Sequence, residues 1–261
     1  MISDRARRDA ARALAVAGRD RAPIAPLSAV YPELDVEDAY AIQRLLIAAR
    51  LDQGAMVRGH KVGLTSKAMQ EQLGVGEPDY GHILEDMVRP DGDTITVDEL
   101  CSPRAEPEIA FVLRSALRGP GVSVADVLDA TRCVLPALEI IDSRIGDWRV
   151  TLADTIADNA SSGLVVLGDR SRPPRSIDRT SIPVVVRCDG SVVAEGTSGA
   201  VLGDPAAAIA WLANTLSRHD IALEPGHLVM SGSCTAAFAI TAGTEVAADF
   251  GGLGTVTARF A

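Results

Sequence analysis

The sequence predicts an α+β fold, with a helical arm over residues 1–55 leading into a β-rich unit over residues 56–261 built on a curved, mixed sheet. Three observations carry this reading. The first 55 residues hold two helical patterns and no strand pattern. From Met56 onward the texture changes to short runs of Val, Ile and Leu punctuated by Gly, Pro and Asp. Few helical patterns separate those runs, which argues for mixed strand pairing rather than a regular β–α alternation.

Residues 4–17 are rich in alanine and arginine and end at Gly18, so a helix with a glycine C-cap is expected. A loop with Pro23, Pro26 and Pro32 follows. Asp35 is placed to N-cap a second helix in which Ala39, Ile42, Leu45, Leu46 and Ala49 share a face and which Gly54 ends. Val57 to Leu64 reads as a strand. A short helix is expected from Ser66 to Leu73, closed by Gly74, and then a turn at Glu77-Pro78-Asp79-Tyr80-Gly81. Further strands are expected at Thr94–Val97, around Glu106 and Glu108, around Glu139, at Gly163–Leu167 and at Pro183–Cys188. Ser123 and Asp126 form a capping-box pattern for a helix near Ser123–Thr131. Asp189-Gly190 is the strongest hairpin signal in the chain. Asp204-Pro205 opens a helix reaching about Leu216, with Asp as N-cap and Pro at N1. Strands at His227–Ser231, Glu245–Asp249 and Thr255–Phe260 complete the chain, which shows no repeats.

Aromatic residues make up only 3% of the chain, so the core must be built from Val, Ile, Leu and Ala. The net charge of −10 argues against nucleic acid or an anionic membrane as partner, since both are bound by basic surfaces. Cys101, Cys133, Cys188 and Cys234 show no CxxC spacing, so neither a zinc knuckle nor a redox dithiol is visible. Scattered cysteines, a start without the apolar stretch of a signal peptide, and no run of about 18 apolar residues together predict a cytoplasmic protein. There is no GxSxG elbow, and His60, His82, His219 and His227 show no metal or triad spacing. Gly251-Gly252-Leu253-Gly254 is followed by strand-like residues, so a β-turn is expected there rather than a phosphate loop.

Three glutamates stand out. Glu106 and Glu108 lie at i and i+2 of one strand pattern, so both side chains point to one face. Glu139 sits between Leu138 and Ile140 in another. Buried carboxylates are rare unless paired or metal-bound. Two of them at about 4 Å repel by about 4 kcal/mol at an effective dielectric near 20. Three such pairs approach about 12 kcal/mol, comparable with the whole net stability of a domain. Two readings fit the pattern. Either the glutamates face solvent or pair with Arg104, Arg114 or Arg144, or they converge on a hard divalent cation. Lys61, in a strand with Val57 and Val62, either reaches the surface or serves an anionic ligand. Asp79, Asp158-Asn159-Ala160-Ser161 and Ser231-Gly232-Ser233-Cys234-Thr235 each pass singly for polar turns.

Taken in order, five segments resemble one known family: Gly59-His60-Lys61-Val62-Gly63-Leu64-Thr65, Glu77-Pro78-Asp79-Tyr80-Gly81, Pro103-Arg104-Ala105-Glu106-Pro107-Glu108-Ile109-Ala110, Pro136-Ala137-Leu138-Glu139-Ile140-Ile141-Asp142-Ser143-Arg144 and Asp158-Asn159-Ala160-Ser161. They are similar to the 2-hydroxypenta-2,4-dienoate (2-keto-4-pentenoate) hydratases and the 4-oxalocrotonate decarboxylases of the fumarylacetoacetate hydrolase superfamily. The likeness runs from about Tyr31 to the C-terminus. It implies a fumarylacetoacetate hydrolase-like mixed β-sandwich or roll, with Mg²⁺ or Mn²⁺ on Glu106, Glu108 and Glu139. It implies Lys61 and Asp79 in catalysis, and Leu64, Thr65, Ser161 and Ser233 around a small 2-hydroxydienoate or 2-oxo acid.

The implied reaction is hydration of 2-hydroxypenta-2,4-dienoate to 4-hydroxy-2-oxopentanoate in the catabolism of aromatic compounds. The alternatives are 4-oxalocrotonate decarboxylation, with Arg58 or His82 holding the second carboxylate, and acylpyruvate hydrolysis. From another class, the alternative is a non-catalytic subunit or Ca²⁺-binding module. Homo-oligomers and association with another enzyme of the pathway are also implied. One departure is Pro107 between two ligand glutamates, where proline predicts a bulged or edge position for its strand.

Overall fold

In the computed structural model, which describes residues 1–66, 70–71 and 76–261, the arm begins with α1 (Asp4–Asp20), N-capped by the Ser3 side chain. The helix runs past Gly18. Arg21, with φ 52°, is the left-handed residue that ends it, donating to Ala17 O. After the single turn α2 (Leu27–Val30), which was not expected, α3 (Val36–Leu51) starts at Asp35, whose carboxylate accepts from Asp38 N at 2.8 Å. The buried face of α3 is Asp38, Ala39, Ile42, Gln43 and Ile47, while Leu45 and Ala49 face outward. The expected apolar stripe is rotated because two polar residues have partners inside. Asp38 pairs with Arg7 at 2.6 Å, and Gln43 Nε2 donates to Tyr80 O and Ile156 O, each at 2.9 Å. Ala10, Leu14, Leu27 and Ile42 pack on Ile145, Ile156 and Ala157.

The remaining elements are β1 (Val57–Gly63), β2 (Asp79–Leu84), β3 (Val88–Pro90), β4 (Thr94–Ile95), β5 (Pro103–Leu113), α4 (Val124–Ala130), β6 (Thr131–Asp142), α5 (Leu152–Ala157), β7 (Ser162–Leu167), β8 (Pro183–Cys188), β9 (Ser191–Thr197), α6 (Pro205–Leu216), β10 (Leu228–Ser233), β11 (Phe238–Ala239), β12 (Glu245–Asp249) and β13 (Thr255–Phe260). One sheet runs β2-β1-β10-β5-β6-β7-β3 with β11 beside β5, and the second runs β4-β13-β12-β8-β9. Both are mixed, because β1/β10, β3/β7 and β13/β4 pair parallel among antiparallel neighbours. Ile109, Phe111, Leu138 and Ile140 of the first sheet share one core with Val184, Val186, Val246 and Val256 of the second and with Ile209 and Leu212 of α6. That core is mostly Val, Ile, Leu and Ala with few aromatics, as the composition requires.

Several expectations need correction. The Glu77–Gly81 turn gives way at Asp79 to β2, which is buried along its whole length and therefore shows no alternation. Gly81 there is needed for close approach, since a Cβ would collide with Asn159 O. The strand at Thr94 stops at Ile95, and Val97–Glu99 forms a 3₁₀ turn. The glycine-rich segment is likewise a 3₁₀ turn, Gly251–Leu253. The helix expected from Ser66 to Leu73 falls for the most part outside the described residues, as does Gly74. At the Asp189-Gly190 hairpin both residues have positive φ, 48° and 81°, as a type I′ turn demands. No helix among the described residues is long and apolar enough to cross a membrane.

Candidate active site

β5 and β6 are neighbours in the middle of the first sheet, and their register places Glu106 opposite Glu139 and Glu108 opposite Ala137. One carboxylate oxygen from each of Glu106, Glu108 and Glu139 lies within 4.8 Å of the others. Glu108 is 1% exposed and Glu139 0%, while Glu106 is half-buried. Pro107 does not bulge or edge its own strand, because the β5–β6 register is unbroken from Pro103 to Val112. The irregularity sits in the neighbour instead. β10 gains a residue between Met230 and Ser233, and Cys234 N donates to Pro107 O at 2.9 Å. The side of Pro107 that lacks an N–H thus faces a stretch where the ladder is already interrupted. That bulge turns Gly232, with φ 110°, so that its N–H donates to Glu108 Oε2 at 2.8 Å.

Burial pushes Glu106 up to about 7, with Lys61 opposing and Glu139 adding to the shift. Glu108 is held well above the usual range by burial and then by Glu139 and Glu106. Burial raises Glu139 as well, against the pull of Lys61. Both oxygens of Glu139 lack a hydrogen-bond partner. Three carboxylates within reach of one point, two of them buried and one of those with both oxygens unpartnered, fit a hard divalent cation held by oxygen ligands.

Lys61 comes from β1, two strands away across β10. Its Nζ lies 3.3 Å from Glu139 Oε2, in ion-pair range without hydrogen-bond alignment, and donates to Ala160 O at 3.0 Å. Burial lowers its affinity for a proton, but Glu139, Asp79, Glu106 and Glu108 outweigh that, so it stays an ammonium. Asp79 begins β2 opposite Gly63, is 2% exposed, and has an unpartnered Oδ1. Burial raises it, with Lys61 opposing.

A cavity of about 400 Å³ opens beside these groups. It is bordered by Lys61, Leu64, Thr65, Asp79, Glu106, Glu108, Ser161 and Ser233, with Glu139 fully buried behind. The structure thus brings together all nine residues singled out from the sequence. Ser161 Oγ is 3.3 Å from Thr155 Oγ1, and Ser233 Oγ donates to Thr235 O, so Ser233 meets a ligand as an acceptor.

Arg104, Trp148, Arg149 and Thr155 also border the cavity and were missed as site residues. Arg104 had a visible signal, since it continues the i, i+2, i+4 row of Glu106 and Glu108. Its guanidinium stacks 4.6 Å over Trp148, whose Nε1 donates to Ser102 O and Oγ at 3.1 and 2.9 Å. Arg149 pairs with Asp147 at 3.0 Å. Arg58 and His82 do not border the cavity. Arg58 lies near Glu85 at 3.4 Å and donates to Gly226 O, and His82 packs against His60 with ring centroids 4.8 Å apart.

A sheet that sets three carboxylates beside a small polar cavity suits a divalent cation next to a small anionic molecule. The chain belongs to the fumarylacetoacetate hydrolase family, its residues 60–261 matching the model described as fumarylacetoacetate (FAA) hydrolase C-terminal. It is 46% identical over 203 residues to a 2-hydroxypent-2,4-dienoate hydratase of Pseudomonas putida, spanning 77% of this chain and 91% of that one. It is 40% identical over 256 residues to a 2-oxo-hept-4-ene-1,7-dioate hydratase of Escherichia coli, covering 96% of both. In structure it is similar to 4-oxalocrotonate decarboxylase from Pseudomonas putida G7 complexed with magnesium and adipate, with TM-score 0.97, 32% identity, and coverage of 100% of this chain and 99% of that one.

Proposed function

We propose that this chain is a divalent-cation-dependent hydratase that converts 2-hydroxypenta-2,4-dienoate to 4-hydroxy-2-oxopentanoate. The observation that carries the reading is the buried Glu106, Glu108 and Glu139 cluster, with Lys61 bridging Glu139 and Ala160 O at the cavity wall. Three ionised carboxylates without a counter-ion would repel strongly in so dry a place. Glu106, Glu108 and Glu139 would hold Mg²⁺ or Mn²⁺, and the bound ion would supply Lewis-acid polarisation of a 2-oxo acid. The named hydratase relatives, at 40% identity or more over most of the chain, support hydration over other outcomes.

The residues divide the remaining work. Arg104, whose guanidinium has no acid partner among the described residues, attracts the substrate carboxylate. Lys61 stays charged and stabilises negative charge as it develops on the 2-oxygen. The reaction moves the 2-hydroxyl proton to C5, giving the conjugated 2-oxo-3-ene, and then adds the oxygen of water to C4 and a proton to C3. Asp79, buried and with an affinity for protons above that of an ordinary carboxyl, carries the proton. Ser161 and Thr155 hydroxyls hold substrate oxygens.

A second reading has one observation in its favour. The decarboxylase neighbour overlays almost completely, and Arg104 and Arg149 offer cations for a second carboxylate. One ultraviolet experiment decides. Freshly generated 2-hydroxypentadienoate is expected to lose its dienol absorbance with Mg²⁺ and yield 4-hydroxy-2-oxopentanoate, and to persist with chelator. CO₂ release from 4-oxalocrotonate with no turnover of the dienoate transfers the assignment to the decarboxylase reading, and C–C cleavage of an acylpyruvate transfers it to hydrolysis.

A further inference from the structure

Between α5 and β7 the chain passes through Asp158, Asn159, Ala160 and Ser161. The last three have φ of 55°, 51° and 53°, and none is glycine. Left-handed backbone is uncommon at residues that carry a Cβ, at Ala and Ser more so than at Asn. It persists only where the surroundings over-determine it. Here three sets of contacts do so. The Asn159 side-chain amide pairs with the His82 backbone in both directions, Oδ1 accepting from His82 N at 2.8 Å and Nδ2 donating to His82 O at 2.9 Å. Arg144 grips the other side. Its backbone N and Nε donate to the two Asp158 carboxylate oxygens at 2.9 and 2.6 Å, Nη2 to Asp158 O at 2.6 Å, and Nη1 to Ser162 O at 2.9 Å. Gly81 on β2 leaves room for Asn159 O where any side chain would collide.

The outcome of this clamp is the direction of one carbonyl. Ala160 O meets Lys61 Nζ at 3.0 Å, and Ser161 borders the cavity. An ammonium has three donors. Ala160 O takes one and Glu139 attracts the second, which leaves the third for a ligand.

We propose that Asn159 and Arg144 are positioning residues. They hold a left-handed turn whose Ala160 carbonyl fixes the Lys61 ammonium between Glu139 and the substrate. The inference rests on the hydratase reading for its kinetic consequence, but its structural consequence stands apart from it. A misplacement of about 1 Å at a reacting group is enough to lose about 10²-fold in rate.

The test compares Asn159→Ala and Arg144→Lys with Asp126→Ala, which breaks the α4 capping box away from the cavity. Both loop variants are expected to lose about 100-fold in kcat, with KM and Mn²⁺ affinity within about threefold of wild type. Asp126→Ala is expected to lower Tm with kcat unchanged. In a crystal structure of either loop variant, Ala160 O is expected beyond about 3.5 Å from Lys61 Nζ. Arg144→Lys supplies the result if Asn159→Ala does not fold, because a lysine keeps the charge but not the fork. A loop variant with kcat within about threefold of wild type overturns the proposal, as does a Lys61–Ala160 contact kept intact in the variant crystal. If the wild-type enzyme shows no hydratase turnover, the functional reading alone fails and the crystallographic distance still decides the clamp.

Discussion

Two buried polar clusters lie on the first sheet, and they resolve burial in opposite ways. His60, His82 and His227 pack together, His60 with centroids 4.8 Å from His82 and 5.8 Å from His227. Both ring nitrogens of His60 and Nδ1 of His82 lack hydrogen-bond partners. Burial pushes His60 well down and His82 down to about 4, so both are neutral at pH 7. An imidazole sheds its charge for little, since its ordinary value lies near 6.5. The glutamate cluster has no such exit. A carboxylate must keep its charge, find a proton or find a cation. Unpartnered buried imidazoles therefore say little about function, whereas converging carboxylates say a great deal.

The largest test of this contrast is Glu139→Gln, which keeps shape and removes one charge. Turnover is expected to fall by at least about 10³-fold, since several kcal/mol of charge stabilisation is lost. Thermal melting of the metal-free protein is expected to rise, because repulsion is relieved. His82→Asn has no charge to remove at pH 7, and turnover should change far less. Lys61→Met should lower kcat by about 10²–10⁴-fold, the range of an acid–base or charge-stabilising group, as read by steady-state kinetics. Arg104→Gln should act mainly on KM, by about 10–100-fold, matching loss of a charge-assisted hydrogen bond to the substrate carboxylate.

The smallest effect is the most diagnostic. Glu106 is raised from 4.5 to about 7 on folding, so the folded state holds the extra proton. Its contribution to metal-free stability is full below about pH 4.5 and is lost as pH rises towards 7. His82 is depressed from 6.5 to about 4, so its contribution is present above about pH 6.5 and is lost as pH falls towards 4. The two slopes oppose each other. Burial raises Glu108, Glu139 and Asp79 in the same direction, so replacing Glu106 by Gln should weaken the first slope in a series of melting curves, adding Mn²⁺ should weaken it further, and both should leave the second.

The legible parts of the site were those with a local signature. Glu106 and Glu108 showed themselves because period two set both among residues that turn apolar, whereas the strand around Lys61 left it open between reaching the surface and serving an anionic ligand, and family likeness singled it out. Arg104 obeyed the same period and needed only one more step along the row. Asp79 was found through family likeness rather than through structure, since Pro78 and Gly81 disguised β2 as a turn. Arg144 and Asn159 had no local signature. Asn159 acts through the backbone of His82, 77 positions away, and the grip of Arg144 exists only once β6 and the loop meet. The face of α3 was misread for a related reason, because Asp38 and Gln43 are buried by partners on α1, β2 and α5.

The central claim is that Glu106, Glu108 and Glu139 hold one divalent cation where the substrate binds. Calorimetric titration of the chelator-treated protein with Mn²⁺ tests it most directly. One ion per chain in the wild type and none in Glu139→Gln is the predicted result. A wild type that binds no ion, or a variant that binds as tightly as its parent, contradicts it.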